Sequence, residues 1–321
     1  MAHELEIIDG KAQMAYVGQV PWHGLGKEVP ADLTPAQMLD AAGLNWTVDK
    51  IPAYATVAGK KVAVGRSALV RSTDNAVIDV VSEDWNPVQN EEAFDFFNEF
   101  VMAGDMEMHT AGSLKGGQIV WGLAKVKESF ELFKGDRIDS YLHFTNFHKY
   151  GFSTDVRFTP IRVVCNNTLT LSLNSKVERM VKVSHRREFQ AEDVKELLGI
   201  ATHKLAKYKE MAQFLGKKRA TKENAMDYFS TVFKLTGKQD PEAEELKLSR
   251  NAKMALELMN TQPGADFAKG TYWQLFNTVT FMTDHILGKS QDTRLTSAWY
   301  GYNRGLKTKA LETAVEMANA A

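Results

Sequence analysis

The spacing of apolar residues changes at about residue 188. Before that point, short runs rich in β-branched and aromatic residues alternate with turn residues, a pattern typical of strands. The predicted strands cover residues 45–57, 61–72, 76–82, 106–113, 118–126, 137–147 and 154–164. Because Gly59-Lys60, Asp74-Asn75 and Gly116-Gly117 separate neighbouring runs at hairpin spacing, we expect an antiparallel sheet.

Two helices are predicted to interrupt these strands. Thr34-Pro35-Ala36-Gln37 has the pattern of a capping box with proline at the first helical position, and Gly43 is placed to end that helix. The second helix is predicted over 90–101, where apolar residues recur at helical spacing. The order of elements from residue 45 to residue 101 is therefore β-β-β-α.

Beyond residue 188 the sequence predicts helices to its end. A four-three repeat predicts a long helix with a narrow apolar seam, formed by Val194, Leu198, Ala201, Leu205, Tyr208, Ala212 and Leu215. Further helices are expected at about 223–235, 242–260, 271–287 and 305–319. The sequence thus predicts an α+β protein, with an α+β sheet domain at 1–188 and a helical region at 189–321.

The net charge of −1 is the sum of unlike segments. Residues 1–150 carry 13 basic and 21 acidic side chains, a net of −8, whereas residues 151–222 carry 15 basic and 7 acidic, a net of +8. The neutral total therefore does not exclude a polyanionic partner. The uneven distribution of charge predicts that such a partner would bind the basic middle segment, 151–222.

Few enzyme classes are compatible with the motifs. The single cysteine, Cys165, excludes an internal disulfide, and neither a phosphate-binding loop nor a serine-hydrolase or zinc-protease motif occurs. An enzyme would need His109, His143 or Asp284-His285 to meet a carboxylate in a pocket. Trp273, Asn277 and Asp284 share a helix face, for which an internal hydrogen-bond network is the favoured interpretation. We expect no cofactor and no metal.

The location is predicted from the ends and the hydropathy of the sequence. The N-terminus lacks the basic, apolar pattern of a secretory leader, and no apolar run is long enough to span a membrane. A cytoplasmic protein of a bacterial host cell, without a membrane partner, is the expectation.

Aromatic residues and basic residues lie close together between residues 137 and 162, a composition suited to single-stranded nucleic acid, since rings stack on bases and cations neutralise phosphates. Tyr141, His143 and Phe147 point to one face of the predicted strand, and Phe144 and His148 to the other. One of these faces could equally be core. The candidate contacts that follow in the chain are Lys149, Arg157, Arg162, Lys182, Arg186 and Arg187.

Four motifs resemble the landmarks of a phage/plasmid-like protein family that contains a domain of unknown function. They span nearly the whole sequence: Pro21–Gly26 (PWHGLG), Trp85–Asn90 (WNPVQN), Arg162–Leu169 (RVVCNNTL) and Gly270–Trp273 (GTYW) with Asn277 and Asp284-His285. The resemblance implies a mobile-element origin in bacteria and brings no established activity.

The β-β-β-α order of residues 44–103 is similar to the core of Rad52-type single-strand annealing proteins. That resemblance implies a basic groove for one DNA strand and assembly of subunits into rings or filaments. The basic residues that the segment offers are Lys60, Lys61, Arg66 and Arg71, whereas its helix is acidic, from Glu91 to Glu99.

These observations support two hypotheses. The first is a phage or plasmid protein of DNA metabolism, a homo-oligomer that binds single-stranded DNA and promotes annealing or recombination without ATP. The second is an interaction protein of a mobile element, whose acidic N-terminal region inhibits or sequesters a host defence protein. An enzyme and a structural component of the virion remain as further alternatives.

Overall fold

The computed structural model describes residues 4–18, 21, 24–162, 167–168, 181–183, 185, 206–234, 248–288 and 290–321. It is an α+β protein, as predicted, with antiparallel sheets in the N-terminal part and helices concentrated in the C-terminal part. Within the described residues, no helix combines the length and the apolar character that crossing a bilayer requires.

The described strands form three sheets. They are β1 (Ile7–Ile8), β2 (Lys11–Ala12), β3 (Met14–Val17), β4 (Lys27–Val29), β5 (Val48–Val57), β6 (Lys60–Arg71), β7 (Val77–Ser82), β8 (Met106–Leu114), β9 (Ile119–Phe133), β10 (Asp136–Phe147), β11 (Thr154–Arg162), β12 (Asn167–Thr168) and β13 (Val181–Val183). The largest sheet has the order β12-β11-β10-β9-β8-β3-β4, with β13 also beside β11; β5-β6-β7 form the second and β1-β2 the third. Among the pairs whose register is described, β3–β4 is parallel and the others are antiparallel.

The helices follow the predicted distribution. They are α1 (Pro35–Ala41), α2 (Asn90–Asp95), α3 (Asn98–Met102), α4 (206–217), α5 (Lys222–Val232), α6 (Arg250–Leu258), α7 (Tyr272–Phe281), α8 (Gln291–Tyr300) and α9 (Tyr302–Ala320), with a 3-10 turn at Ala265–Ala268 and a π-helical turn at Met282–Ile286. Helix α8 and strands β1–β4, β12 and β13 are absent from the sequence prediction.

Local sequence signals fix several boundaries. The capping box of α1 is confirmed, because Thr34 Oγ1 accepts from Gln37 N at 3.2 Å and Gln37 Oε1 accepts from Thr34 N at 2.9 Å. The β5–β6 hairpin turns at Ala58 and Gly59, whose φ angles of 49° and 78° suit a two-residue turn of the type that matches strand twist.

The single helix predicted over 90–101 is wrong: the chain forms α2 and α3 with a turn at 96–97. Phe94, Phe96 and Phe97 are all essentially buried. Positions 94 and 96 lie on nearly opposite sides of a regular helix, so one uninterrupted helix against a single core could not bury both. Burial of these rings outweighs the continuity of the helix.

Two compact units divide the chain. The sheet unit comprises 1–127, 141–158 and 180–200, and the helical unit comprises 128–140, 159–179 and 201–321. Strands β9, β10 and β11 pass from one unit to the other, so the units are not consecutive in sequence. The boundary predicted at residue 188 lies outside the described residues and stays a prediction.

The core of the helical unit is aromatic. Trp273, Tyr208, Tyr228, Phe229 and Phe276 are buried in it. Ala212 and Leu215, two members of the predicted four-three seam, pack in the same core, so within α4 the seam is used inside the unit; the seam residues before residue 206 lie outside the described residues.

Candidate nucleic-acid interface

Two exposed rings with neighbouring cations lie just after β10. Tyr150 and Phe152 are each 46% exposed. The Arg66 guanidinium carbon lies 5.0 Å from the centre of the Tyr150 ring, and Lys149 Nζ lies 5.5 Å from the centre of the Phe152 ring. We call these four side chains the aromatic–cation surface. Rings that stack on bases beside groups that neutralise phosphates can bind a single strand without reading its sequence.

The turn that presents these rings is fixed by backbone hydrogen bonds. Phe152 N donates to Lys149 O at 3.3 Å, and Gly151 supplies the positive φ of 80° that the turn requires. Tyr150 N donates to Asp79 Oδ2 at 2.8 Å, and Asp79 Oδ1 accepts from Val80 N at 2.9 Å. The Asp79 carboxylate therefore accepts hydrogen bonds from the backbone of both the turn and β7.

Beneath the turn, a buried polar network holds the end of β10. Asn146 Nδ2 donates to Val88 O at 2.7 Å, and Thr154 Oγ1 donates to Asn146 Oδ1 at 3.3 Å. His148 Nε2 lies 3.0 Å from Asn90 Oδ1 and 3.4 Å from Asn146 Nδ2; because Asn90 Oδ1 can only accept, the shorter contact assigns the proton to this nitrogen. Asn90 Nδ2 in turn donates to Leu44 O at 3.1 Å. The network joins the WNPVQN motif to the strand that leads into the aromatic–cation surface.

The start of the same motif is bound to His185. The His185 ring stacks on Trp85 with centroids 4.1 Å apart, and its Nδ1 donates to Asn86 O at 3.0 Å. Asn86 N donates back to His185 O at 2.7 Å. His148 Nδ1 and His185 Nε2 are buried and accept no hydrogen bond in the described part of the chain.

Burial holds both histidines neutral. Desolvation, with a smaller contribution from His185, lowers the pKa of His148 to about 3. Desolvation lowers the pKa of His185 to about 4, against the opposing effect of the hydrogen bond to Asn86 O. Neither side chain carries charge to a phosphate at neutral pH, so both act through packing and hydrogen bonding.

The protein is expected to lose stability on acidification. Because both folded pKa values lie below the ordinary value near 6.5, the unfolded chain binds more protons between pH 6.5 and 4. The stabilisation is complete above pH 6.5 and is lost as the pH falls, by roughly 1.4 kcal/mol per pH unit for each histidine. Urea unfolding at pH 7 and pH 5.5 measures this, with H148N as the comparison, in which the dependence should be shallower. Equal free energies of unfolding at the two pH values would contradict it.

The aromatic residues predicted on β10 do not form a binding surface. Tyr141, His143 and Phe147 are 6%, 3% and 5% exposed, and Phe144 and His148 on the opposite face are buried as well. Both faces of the strand are core, so the stacking role expected for the first three is wrong in this structure. Sequence reasoning missed Tyr150 and Phe152, although their position on either side of a glycine, next to a lysine, was a signal for exposed rings in a turn.

The predicted cations of the β-β-β-α segment separate into exposed and buried groups. Lys60, Lys61 and Arg66 are exposed. Arg71 is 4% exposed; it forms an ion pair with Glu6 and a second with Asp74 at 2.7 Å. Its hydrogen bond lowers the pKa of Asp74 to about 2. Arg71 is thus held by two carboxylates, an arrangement that favours a structural role over contact with DNA.

The cations predicted in the middle segment are only partly described. Arg157 Nε lies 3.5 Å from Asp155 Oδ1, and the Arg157 side chain is 10% exposed. Arg162 ends β11 and Lys182 lies at the centre of β13, opposite Asp155. Arg186 and Arg187 lie outside the described residues, so the DNA-binding role of this segment stays a prediction.

A second buried polar network belongs to the helical unit. Lys307 Nζ donates to Asp284 Oδ1 at 2.8 Å, and the two side chains are 1% and 8% exposed. Asn303 Nδ2 donates to Thr283 O and Leu287 O at 2.8 and 3.0 Å, which satisfies carbonyls at the π-helical turn. Of the three residues for which the sequence favours an internal network, Asp284 takes part in this one, whereas Asn277 Nδ2 donates to Trp273 O at 2.7 Å within α7. In the described part of the chain, no three histidine, cysteine or acidic side chains are grouped as metal ligands.

Comparison with protein families shows which family this chain belongs to. A family described as a domain of unknown function (DUF932) matches residues 77–299, more than two thirds of the 321 residues. Comparison with curated proteins and with solved structures gives no match. The matched range contains the WNPVQN motif, the buried network and the aromatic–cation turn after β10. The chain belongs to the DUF932 family.

Proposed function

We propose that the protein binds single-stranded DNA and promotes annealing of complementary strands, without ATP, in phage or plasmid DNA metabolism in the bacterial cytoplasm. The observation that carries the proposal is the aromatic–cation surface, in which two exposed rings lie within 5.5 Å of Arg66 and Lys149. The buried network under the turn supports it, because a surface that stacks bases must hold its rings in place before the strand arrives.

The mechanism requires no covalent step. Arg66 and Lys149 lie over the Tyr150 and Phe152 rings, and Phe152 also stacks on Phe147 with centroids 5.1 Å apart. For bases to stack on the two rings, the two cations move from the ring faces to the adjoining phosphates, which they neutralise. Stacking through the face of a base leaves its pairing edge accessible, and reduced phosphate repulsion lets a complementary strand approach. Base pairing then supplies the free energy of annealing. Assembly into a homo-oligomer would repeat the surface along the strand.

The test is a titration of the protein into a fluorescein-labelled single-stranded oligonucleotide, followed by anisotropy from low to moderate salt. We expect a dissociation constant in the micromolar range or below at low salt, and a logarithmic salt slope of about −0.7 for each phosphate contacted. A parallel assay measures annealing of complementary strands without ATP, and solution mass with and without the oligonucleotide. Absence of binding by micromolar protein at low salt would refute the proposal.

One observation favours the alternative of an interaction protein that sequesters a host defence component. Helix α2 exposes Glu91, Glu92 and Asp95 on its surface, and this acidic face fits a basic protein better than it fits DNA. Affinity purification from nuclease-treated bacterial lysate discriminates the two functions. A stoichiometric protein partner that survives the nuclease, together with absence of oligonucleotide binding, would favour the alternative.

A further inference from the structure

The end of the β5–β6 hairpin extends past the third strand of its sheet. Strand β7 pairs with β6 from Arg66 to Val70, whereas residues 60–63 of β6 pair with β5 alone. We call residues 53–65 the β-arm. All of its residues are described and none is buried; Tyr54 and Val57 are each 59% exposed, and Val62 and Val64 are 48% and 46% exposed. A two-stranded ribbon with apolar side chains in solvent is marginal alone, so a partner is indicated.

The geometry points to duplex nucleic acid as that partner: we propose that the β-arm enters a groove of the double helix that annealing produces. This inference rests on the proposed function and extends it from the single strand to the product.

The positive charge of the β-arm favours a polyanionic partner. The β-arm carries Lys60 and Lys61 and no acidic residue, and Arg66 follows at its base. Successive strand residues point to opposite faces, so the two lysines lie on opposite sides of the ribbon. When the ribbon lies in a groove, one lysine can contact the phosphate backbone on one side and the other lysine the backbone on the other side. The valines of the ribbon then contact sugars and thymine methyl groups.

The dimensions of the β-arm and the structure of its outer edge also favour a nucleic-acid duplex as the partner. The paired segment from Tyr54 to Val57 is ~10 Å long at 3.3–3.4 Å per residue, and its two strands are about 4.8 Å apart. A major groove about 12 Å wide accepts such a ribbon. Pairing of β5 with a strand of a second copy is disfavoured, because Pro52 has no N–H to donate along that edge.

A β-bulge at the base of the β-arm changes the direction of the ribbon. The register shifts between Pro52, opposite Ser67, and Tyr54, opposite Ala63, so three residues of β6 oppose one of β5. Gly65 lies in this bulge with a φ of 63°. Bulges bend the strand and increase its twist, and they are common where a ribbon must be re-aimed. The bulge therefore separates the direction of the β-arm from that of the β5-β6-β7 sheet.

The first test measures binding of the full chain to a labelled 20-base-pair duplex and to the single strand. K60Q/K61Q is expected to lower duplex affinity about 60-fold at 0.1 M salt and to reduce the logarithmic salt slope by about 1.8, as two phosphate contacts require. The control is K11Q/K27Q, which removes the same charge from two exposed lysines of the same unit and should bind duplex like the wild type. Equal duplex binding by K60Q/K61Q and wild type would overturn the inference.

A second variant replaces residues 55–62 by Asn-Gly, which joins the paired residues Tyr54 and Ala63 through a two-residue turn. We expect it to lose duplex binding and to keep single-strand binding. A change in solution mass with unchanged duplex binding would show that the β-arm joins copies of the chain and would overturn the inference. If the wild type binds duplex through the β-arm but binds no single strand, the inference stands and the proposed function fails.

Discussion

Replacing Tyr150 and Phe152 together by alanine is expected to weaken binding to a single-stranded oligonucleotide by at least about 30-fold. A base stacked on an aromatic side chain contributes about 1–3 kcal/mol, so loss of two rings removes roughly 2–6 kcal/mol. The rings are half-exposed, and the turn is held by the bonds from Tyr150 N and Phe152 N, which both substitutions retain. Anisotropy at fixed salt measures the loss.

Two control variants separate stacking from damage to the fold. Y150F/F152Y keeps both ring faces and should bind the oligonucleotide like the wild type, whereas a general loss of structure would affect it too. Y302A removes an aromatic side chain that is 79% exposed in the helical unit and should leave the affinity unchanged. Wild-type affinity in Y150A/F152A would show that the strand does not stack on these rings.

The salt dependence distinguishes the rings from the cations of the same surface. Removing rings changes the affinity at every salt concentration and leaves the slope nearly unchanged, because no phosphate contact is lost. Removing Arg66 or Lys149 should instead reduce the slope by about 0.7 each. A comparison of the two kinds of variant therefore tests each half of the aromatic–cation surface separately.

Local patterns in the sequence predict the local structure well. The capping box of α1 and most strand boundaries depend on residues within one turn or one hairpin of each other. The β5–β6 turn, predicted at Gly59-Lys60, lies one residue earlier, at Ala58-Gly59. The strands β1–β4, β12 and β13 were missed because runs of two to four residues are too short to show alternation. Helix α8 was missed although Ser290 caps its N-terminus, accepting from Thr293 N at 3.3 Å.

The candidate site depended on distant contacts that no local pattern reports. Alternation correctly predicts that Tyr141 and Phe144 lie on opposite faces of β10, but only tertiary packing decides that both faces are covered. The turn that exposes Tyr150 is held by Asp79, 71 residues earlier in the chain. Arg71, a candidate for DNA on charge alone, is held by Glu6, 65 residues away. Positive charge in a sequence is therefore weak evidence of positive charge at a surface.

The family motifs acquire a physical role in the structure. Asn90 and Val88 of the WNPVQN motif bind His148 and Asn146, which lead into the turn with the exposed rings. Asp284 of the C-terminal motif binds Lys307 inside the helical unit. Val88, Asn90 and Asp284 of these two motifs thus lie in buried hydrogen-bond networks.

Substituting Lys307 by methionine is expected to lower the free energy of unfolding by about 3–5 kcal/mol, because the buried Asp284 carboxylate would lose its ion pair with Lys307. Lys307 and Asn303 lie four residues apart on one face of α9 and both bind the π-helical turn, so this face fixes the turn to the helix. The exposed Lys253 provides the control: K253M should change the free energy by no more than about 0.5 kcal/mol.

The double variant D284L/K307M decides whether the loss comes from the unpaired charge. Replacing both partners of a buried ion pair by apolar side chains of similar size is often neutral, so we expect the double variant to be more stable than K307M. Urea unfolding of the wild type, D284L, K307M and D284L/K307M gives the coupling energy directly. Equal destabilisation in K307M and D284L/K307M would show that Lys307 contributes through packing of its aliphatic chain and not through its charge.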